Sequence, residues 1–79
     1  MERTPVQSSL LRSIGYDAFR KMLEVEFLRG PVYRYFGVEP RQAKALEEAK
    51  SIGGHFLAHV KDKYSYRRVE EDEAPEIEA

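Results

Sequence analysis

The alternation Leu23-Glu24-Val25-Glu26-Phe27, followed at once by Leu28-Arg29-Gly30-Pro31 and then by Tyr33-Arg34-Tyr35, constrains this chain more than any other feature. Successive side chains of a strand point to opposite faces. Lys21 to Phe27 therefore reads as a half-buried strand, with Leu23, Val25 and Phe27 on one face and Met22, Glu24 and Glu26 on the other. A three-residue hairpin loop wants its last residue in the left-handed region, which suits glycine. Taking Leu28-Arg29-Gly30 as that loop pairs Val25 with Tyr33, Glu24 with Arg34 and Leu23 with Tyr35. Opposite charges then face each other, worth roughly 0.2–1 kcal/mol. A two- or four-residue loop would put Arg34 opposite Val25, on the apolar face, so the odd loop is preferred. Tyr33 and Tyr35 then share the face of Leu23 and Val25 and are expected to pack under whatever covers the sheet, with their hydroxyls at the rim.

The rest of the chain can be placed around this hairpin. Met1 to Ser9 is polar and reads as an extended arm; Leu10 to Tyr16 reads as a strand; Asp17 can close a turn by accepting backbone hydrogens two residues on. Pro40 suits the first position of a helix. Arg41 to about Ser51 follows, with Ala45, Leu46, Ala49 and Ile52 as a narrow apolar stripe. Gly53-Gly54 is expected to break it, and a second short helix runs from about Gly54 to Lys61 with Phe56, Leu57 and Val60 apolar. Tyr64 to Val69 alternates again, the pattern of a further short strand. The fold class is α+β: a three-stranded antiparallel meander, two short helices and a short C-terminal strand. One domain over residues 6–69 is expected, with 70–79 a disordered acidic tail, because that segment has almost nothing apolar to bury.

At 79 residues there is no cysteine, so neither a disulfide nor a thiolate metal site can hold the fold. The stability of such a small core is only about 3–5 kcal/mol. The absence of cysteine fits a reducing, cytoplasmic location. Met1-Glu2-Arg3-Thr4-Pro5 lacks the apolar stretch of a signal peptide, and the uncharged run Ser51–Val60 is far short of the ~18 apolar residues of a membrane span. Net charge is −1, yet the last ten residues hold six acids and no base, leaving eight acids against all thirteen bases over residues 1–69, a balance of +5. Charge segregation of this kind marks an interaction tail or a solubilising one.

The ordered set Ser13-Ile14-Gly15-Tyr16-Asp17, Leu23-Glu24-Val25-Glu26-Phe27, Gly30, Tyr33-Arg34-Tyr35 and Val38, then Ala49, Ser51, Gly53, Phe56, Lys61 and Tyr64, resembles the KTSC domain. The hallmark of that family is a central tyrosine–any–tyrosine motif, matched here by Tyr33 and Tyr35. The resemblance covers nearly all of residues 6–69. It implies a domain found at the C-terminus of some lysyl-tRNA synthetases and as stand-alone bacterial proteins, with RNA binding suggested from the synthetase context. The chain has no synthetase catalytic region, so tRNA charging is not implied.

The chemistry-bearing residues point away from catalysis. His55 and His59 are four apart on a helix and share a face. A zinc site needs three or four ligands and a protease site a glutamate after the first histidine, where Phe56 stands. They are expected to flank the apolar face of Phe56 and Val60, with no metal or other cofactor. Ser51 lacks a nucleophile elbow and an identified base; a helix-end hydrogen bond is its expected role. Gly53-Gly54 lacks the lysine and Ser/Thr of a phosphate loop and is read as a turn between helices. Glu24 and Glu26 would need a desolvated pocket to act as acid and base, and are expected to be solvated on the outer sheet face.

The best binding candidate is the stretch Lys61-Asp62-Lys63-Tyr64-Ser65-Tyr66-Arg67-Arg68, into which His55, His59 and Lys63 lead as one helical row. Bases interleaved with aromatics suit single-stranded nucleic acid, cations meeting phosphates and rings stacking on bases. The expectation is a non-catalytic module that binds RNA through Lys61, Lys63, Tyr66, Arg67 and Arg68. The alternative is a protein-interaction module, self-associating or docking on a larger enzyme.

Overall fold

The structure, a computed structural model, describes residues 2–69. The acidic segment 70–79 lies outside the described residues, and so does the expectation that it is disordered. Five strands form one antiparallel meander in chain order: β1 Thr4–Pro5, β2 Leu11–Asp17, β3 Met22–Phe27, β4 Val32–Phe36 and β5 Tyr66–Val69. Helices α1 (Pro40–Glu47) and α2 (Ile52–His59) fall between β4 and β5 in sequence.

The central hairpin has the register read from its residues. Leu23 pairs Tyr35, Glu24 pairs Arg34 and Val25 pairs Tyr33. Phe27 N–H donates to the Pro31 carbonyl at 3.0 Å, and Gly30 N–H to the Phe27 carbonyl at 3.0 Å, which leaves Leu28-Arg29-Gly30 as the loop. Gly30 has φ 124°, open to a residue without Cβ. In the β2–β3 turn the Asp17 carboxylate accepts from the N–H groups of Phe19 (3.0 Å) and Arg20 (3.1 Å).

Both helices cover one face of the sheet. Leu11, Ile14, Leu23, Val25 and Tyr35 meet Ala43, Leu46, Phe56 and Val60 there. Phe56 is the hub: its ring lies edge-on to Phe27 and to Tyr35, each at 5.6 Å between centroids. Such pairs add about 0.5–1.5 kcal/mol to the burial itself. The Tyr16 hydroxyl donates to the Val38 carbonyl and pins the β4–α1 link to the sheet.

Several expected details differ. The arm is not merely extended: Thr4 and Pro5 pair with Ile14 and Ser13 as an edge strand, where proline's missing N–H is harmless. In α1 the buried residues are Ala43 and Leu46, while Ala45 is exposed, and the helix ends at Glu47, short of Ala49 and Ile52. Gly53 and Gly54 do not separate the helices; they form the first turn of α2, whose N-cap is Ser51, accepting from Gly54 N–H at 3.1 Å. A Cβ on Gly53 would stand 3.1 Å from both Leu10 Cβ and Ser8 Oγ, so glycine here lets α2 approach the 8–10 segment. Leu57 faces solvent rather than the core.

Candidate nucleic-acid interface

β5 pairs with β4, Tyr66 opposite Tyr35, Arg67 opposite Arg34 and Arg68 opposite Tyr33. Alternation along the strand therefore sends Tyr66 and Arg68 to the helix-covered side and Arg67 to the other side. The five candidate residues do not make one surface. The period-two pattern already visible in Tyr64–Val69 is the signal that separates them.

On the helix side, Tyr66 continues the aromatic ladder outward. Its ring stacks on Tyr33 (5.4 Å, 22° between planes) and tilts against Tyr35 (5.4 Å, 32°). Tyr35 is 2% exposed, yet Tyr66 is 55% exposed. An outermost ring is thus fixed from behind by two tyrosines and open in front. Burial, with the neighbouring Tyr66 and Tyr33 phenols and the Asp62 carboxylate, pushes the Tyr35 phenol up to about 12. The turn after α2 carries the exposed Lys61 and Lys63. Lys61 Nζ is 3.9 Å from Asp62 Oδ1, a loose surface pair of little energy.

His55 and His59 stack with ring centroids 4.5 Å apart. Partial burial, then the facing His59, lowers the His55 pKa. Lys63 lies beyond the end of α2, so the helical row stops at His59. Among the described residues no group of three or more His, Cys, Asp or Glu could hold an ion.

An open cavity of about 450 Å³ lies between Gln7–Leu10 and the start of α2. Two of its three serines are engaged in backbone capping: Ser8 Oγ accepts from Leu10 and Leu11 N–H, and Ser51 Oγ from Gly54 N–H.

The outer sheet face corrects the expectation for the glutamates. Glu24 is 2% exposed, not solvated. Its carboxylate accepts from Arg3 Nη1 at 2.8 Å, from Arg34 Nη2 at 2.7 Å and from Arg34 Nε at 3.1 Å. Glu26 accepts from Ser13 Oγ at 2.8 Å and has Arg12 Nε at 3.7 Å. Gly15 makes this arrangement possible: a Cβ there would sit 2.4 Å from the Glu2 carbonyl oxygen and 3.0 Å from Arg3 Cγ. The arm can therefore cross β2 and lay Arg3 on Glu24. These are structural ion pairs with every carboxylate oxygen of Glu24 occupied, not an acid–base pair awaiting substrate.

A five-stranded meander, two helices on one face and an aromatic–basic edge strand define a small α+β sheet module. The model of the KTSC domain matches residues 7–66. The chain belongs to the KTSC domain family. It is 48% identical over 71 residues to an uncharacterised protein of Stutzerimonas stutzeri, covering 89% of this chain and all of that one. The crystal structure of a KTSC domain protein from Yersinia pestis superposes with a TM-score of 0.83 at 38% identity, over 87% of this chain and 97% of that one. A lysine–tRNA ligase of Nostoc punctiforme is 32% identical over 63 residues, which is 80% of this chain but 11% of the ligase.

Proposed function

We propose that this protein is a non-catalytic cytoplasmic module that binds single-stranded RNA along the helix-side edge of β5. Tyr66 stacks on a base, and Lys61, Lys63 and Arg68 meet the neighbouring phosphates. The observation that carries this reading is the half-exposed Tyr66 ring held from behind by Tyr33 and Tyr35. A ring so fixed loses little freedom on binding, and base–aromatic stacking is worth about 1–3 kcal/mol per base. The match to a segment of lysine–tRNA ligases supports the same choice of ligand.

Binding of a fluorescent oligouridylate, measured against salt, tests it. Three phosphate contacts give a slope of log affinity on log salt near −2, at about −0.7 per contact on a single strand. Tyr66→Ala should weaken binding and leave the slope unchanged, since stacking releases no counterion. Binding that stays weaker than about millimolar at low salt, or is indifferent to Tyr66→Ala, removes the proposal.

A protein-interaction role is the second reading, favoured by Phe19. The Asp17 turn holds this residue at the β2–β3 tip with its ring almost wholly in solvent. Aromatic anchors of this kind dominate interface energetics.

A further inference from the structure

Arg67 takes no part in the Tyr66 edge, yet its position is specific. It stands directly opposite Arg34 on the outer face of the sheet. Like charges directly opposite destabilise a strand pair, so the pairing calls for a counterion. Glu24 does not meet that need. Its two oxygens are shared between Arg34 and Arg3, and Glu26 is shared between Arg12 and Arg3. Among the described residues, ion pairs on this face join Arg3, Arg12 and Arg34 to the two carboxylates of Glu24 and Glu26, and Arg67 stands beside them.

The geometry leaves the right donors unused. Arg34 gives Nε and Nη2 to Glu24 Oε2, which fixes its plane and leaves Nη1 directed elsewhere. Among the described residues Arg67 has no ion-pair partner, and its side chain is exposed. Directly opposite Cβ atoms in an antiparallel pair are about 4.5–5.5 Å apart, a span one phosphate group bridges. The paired Val32 and Val69 border the two arginines on one side and Phe36 on the other. These apolar neighbours flank the two arginines along their strands.

We propose that Arg34 and Arg67 form a phosphate clamp on the outer sheet face, with Glu24 as the residue that positions Arg34. Arginine suits the role because its planar fork matches phosphate oxygens two at a time. The clamp stands independently of Tyr66, which lies on the other side of the same strand.

The probe is pyrophosphate, titrated at low salt into the full chain and followed by NMR. Arg34 and Arg67 resonances should shift saturably. Arg67→Gln should lower affinity about tenfold, the loss of one charge-assisted contact. Arg67→Lys should restore only part of it, since the charge returns without the fork. Arg41→Gln, at the start of α1, should leave affinity unchanged. Shifts that never saturate, or an equal loss from Arg41→Gln, would each overturn the clamp, since both mean diffuse attraction to a basic surface or charge placed merely to blunt an edge strand. Within a saturable site, displacement of pyrophosphate by oligouridylate assigns the phosphate to a polymer backbone, and failure to displace assigns it to a small phosphate compound. Either result supports the clamp.

Discussion

Replacing Glu24 should cost more than replacing any other acid among the described residues. Its carboxylate takes three charge-assisted hydrogen bonds, two from Arg34 and one from Arg3, at 2.7–3.1 Å. Removing one partner of a buried ion pair costs about 3–5 kcal/mol, because the other charge is left without compensation. That figure must be reduced here. The Arg3 and Arg34 side chains are 23% and 32% exposed and can recover water once the carboxylate is gone. Glu24→Ala is then expected to cost about 2–3 kcal/mol, much of the ~3–5 kcal/mol a domain of this size commands. Glu24→Gln keeps the volume and one acceptor, and should cost about 1–2 kcal/mol. Urea denaturation followed by circular dichroism reads both from the midpoints, with the slope m unchanged. A cycle of Glu24→Gln with Arg34→Ala should be strongly non-additive, because the two residues share the same bonds. Midpoints for both Glu24 variants within about 0.5 kcal/mol of the parent would refute the reasoning, since that is the range of an ordinary surface substitution.

Other perturbations follow from the same geometry. The fold raises the Tyr35 phenol to about 12 against an ordinary 10. The unfolded chain therefore loses this proton first, and the stabilisation present below pH 10 is lost as pH climbs through 10 to about 12. It is worth about 3 kcal/mol at most, and Tyr35→Phe should flatten the fall in melting temperature over that window. A chelator should leave the thermal melt unchanged, because His55 and His59 supply two ligands where a structural zinc site takes four; a drop of several degrees with EDTA would contradict this. Deleting residues 70–79, with their six acids, should tighten oligouridylate binding at low salt, since a tethered polyanion competes at high effective concentration. Equal affinity with and without the segment would leave it a solubilising role only.

The central hairpin was legible because three local constraints agreed. Alternation in Leu23–Phe27, the glycine at position 30 and the Glu24–Arg34 pairing all choose the same loop length, and a slip by one residue would have turned every side chain over. Boundaries were less legible where two rules competed. Gly53-Gly54 carries the composition of a helix break, but Ser51 immediately before it is a strong N-cap, and the cap prevailed. The helix therefore starts earlier, and the glycines serve the close approach to Ser8 and Leu10. Ala45 lost its core position to Ala43 for a related reason: in an eight-residue helix only two turns meet the sheet, and which alanine does so depends on where the first turn is anchored.

Glu24 was misread because its partners come from outside its own strand. Opposite Arg34 alone, a glutamate on an uncovered sheet face is an ordinary surface pair worth little. What buries it is Arg3, 21 residues away, and nothing in an alternating strand announces that contact. The one local sign is Gly15 in the middle of β2, where a glycine weakens a strand unless backbone must pass close by. Glu2 and Arg3 are that backbone. The consequence reaches the opposite edge of the sheet. Because Arg3 and Arg34 divide one carboxylate between them, Arg34 is held in place without being neutralised, and the positive surplus is passed across β4 to Arg67. The sheet divides the two arginines of β5, with Arg68 on the side of the tyrosine ladder and Arg67 behind it. β5 thus presents Tyr66 and Arg68 to one side and Arg67 and Val69 to the other, a separation that follows from strand alternation alone.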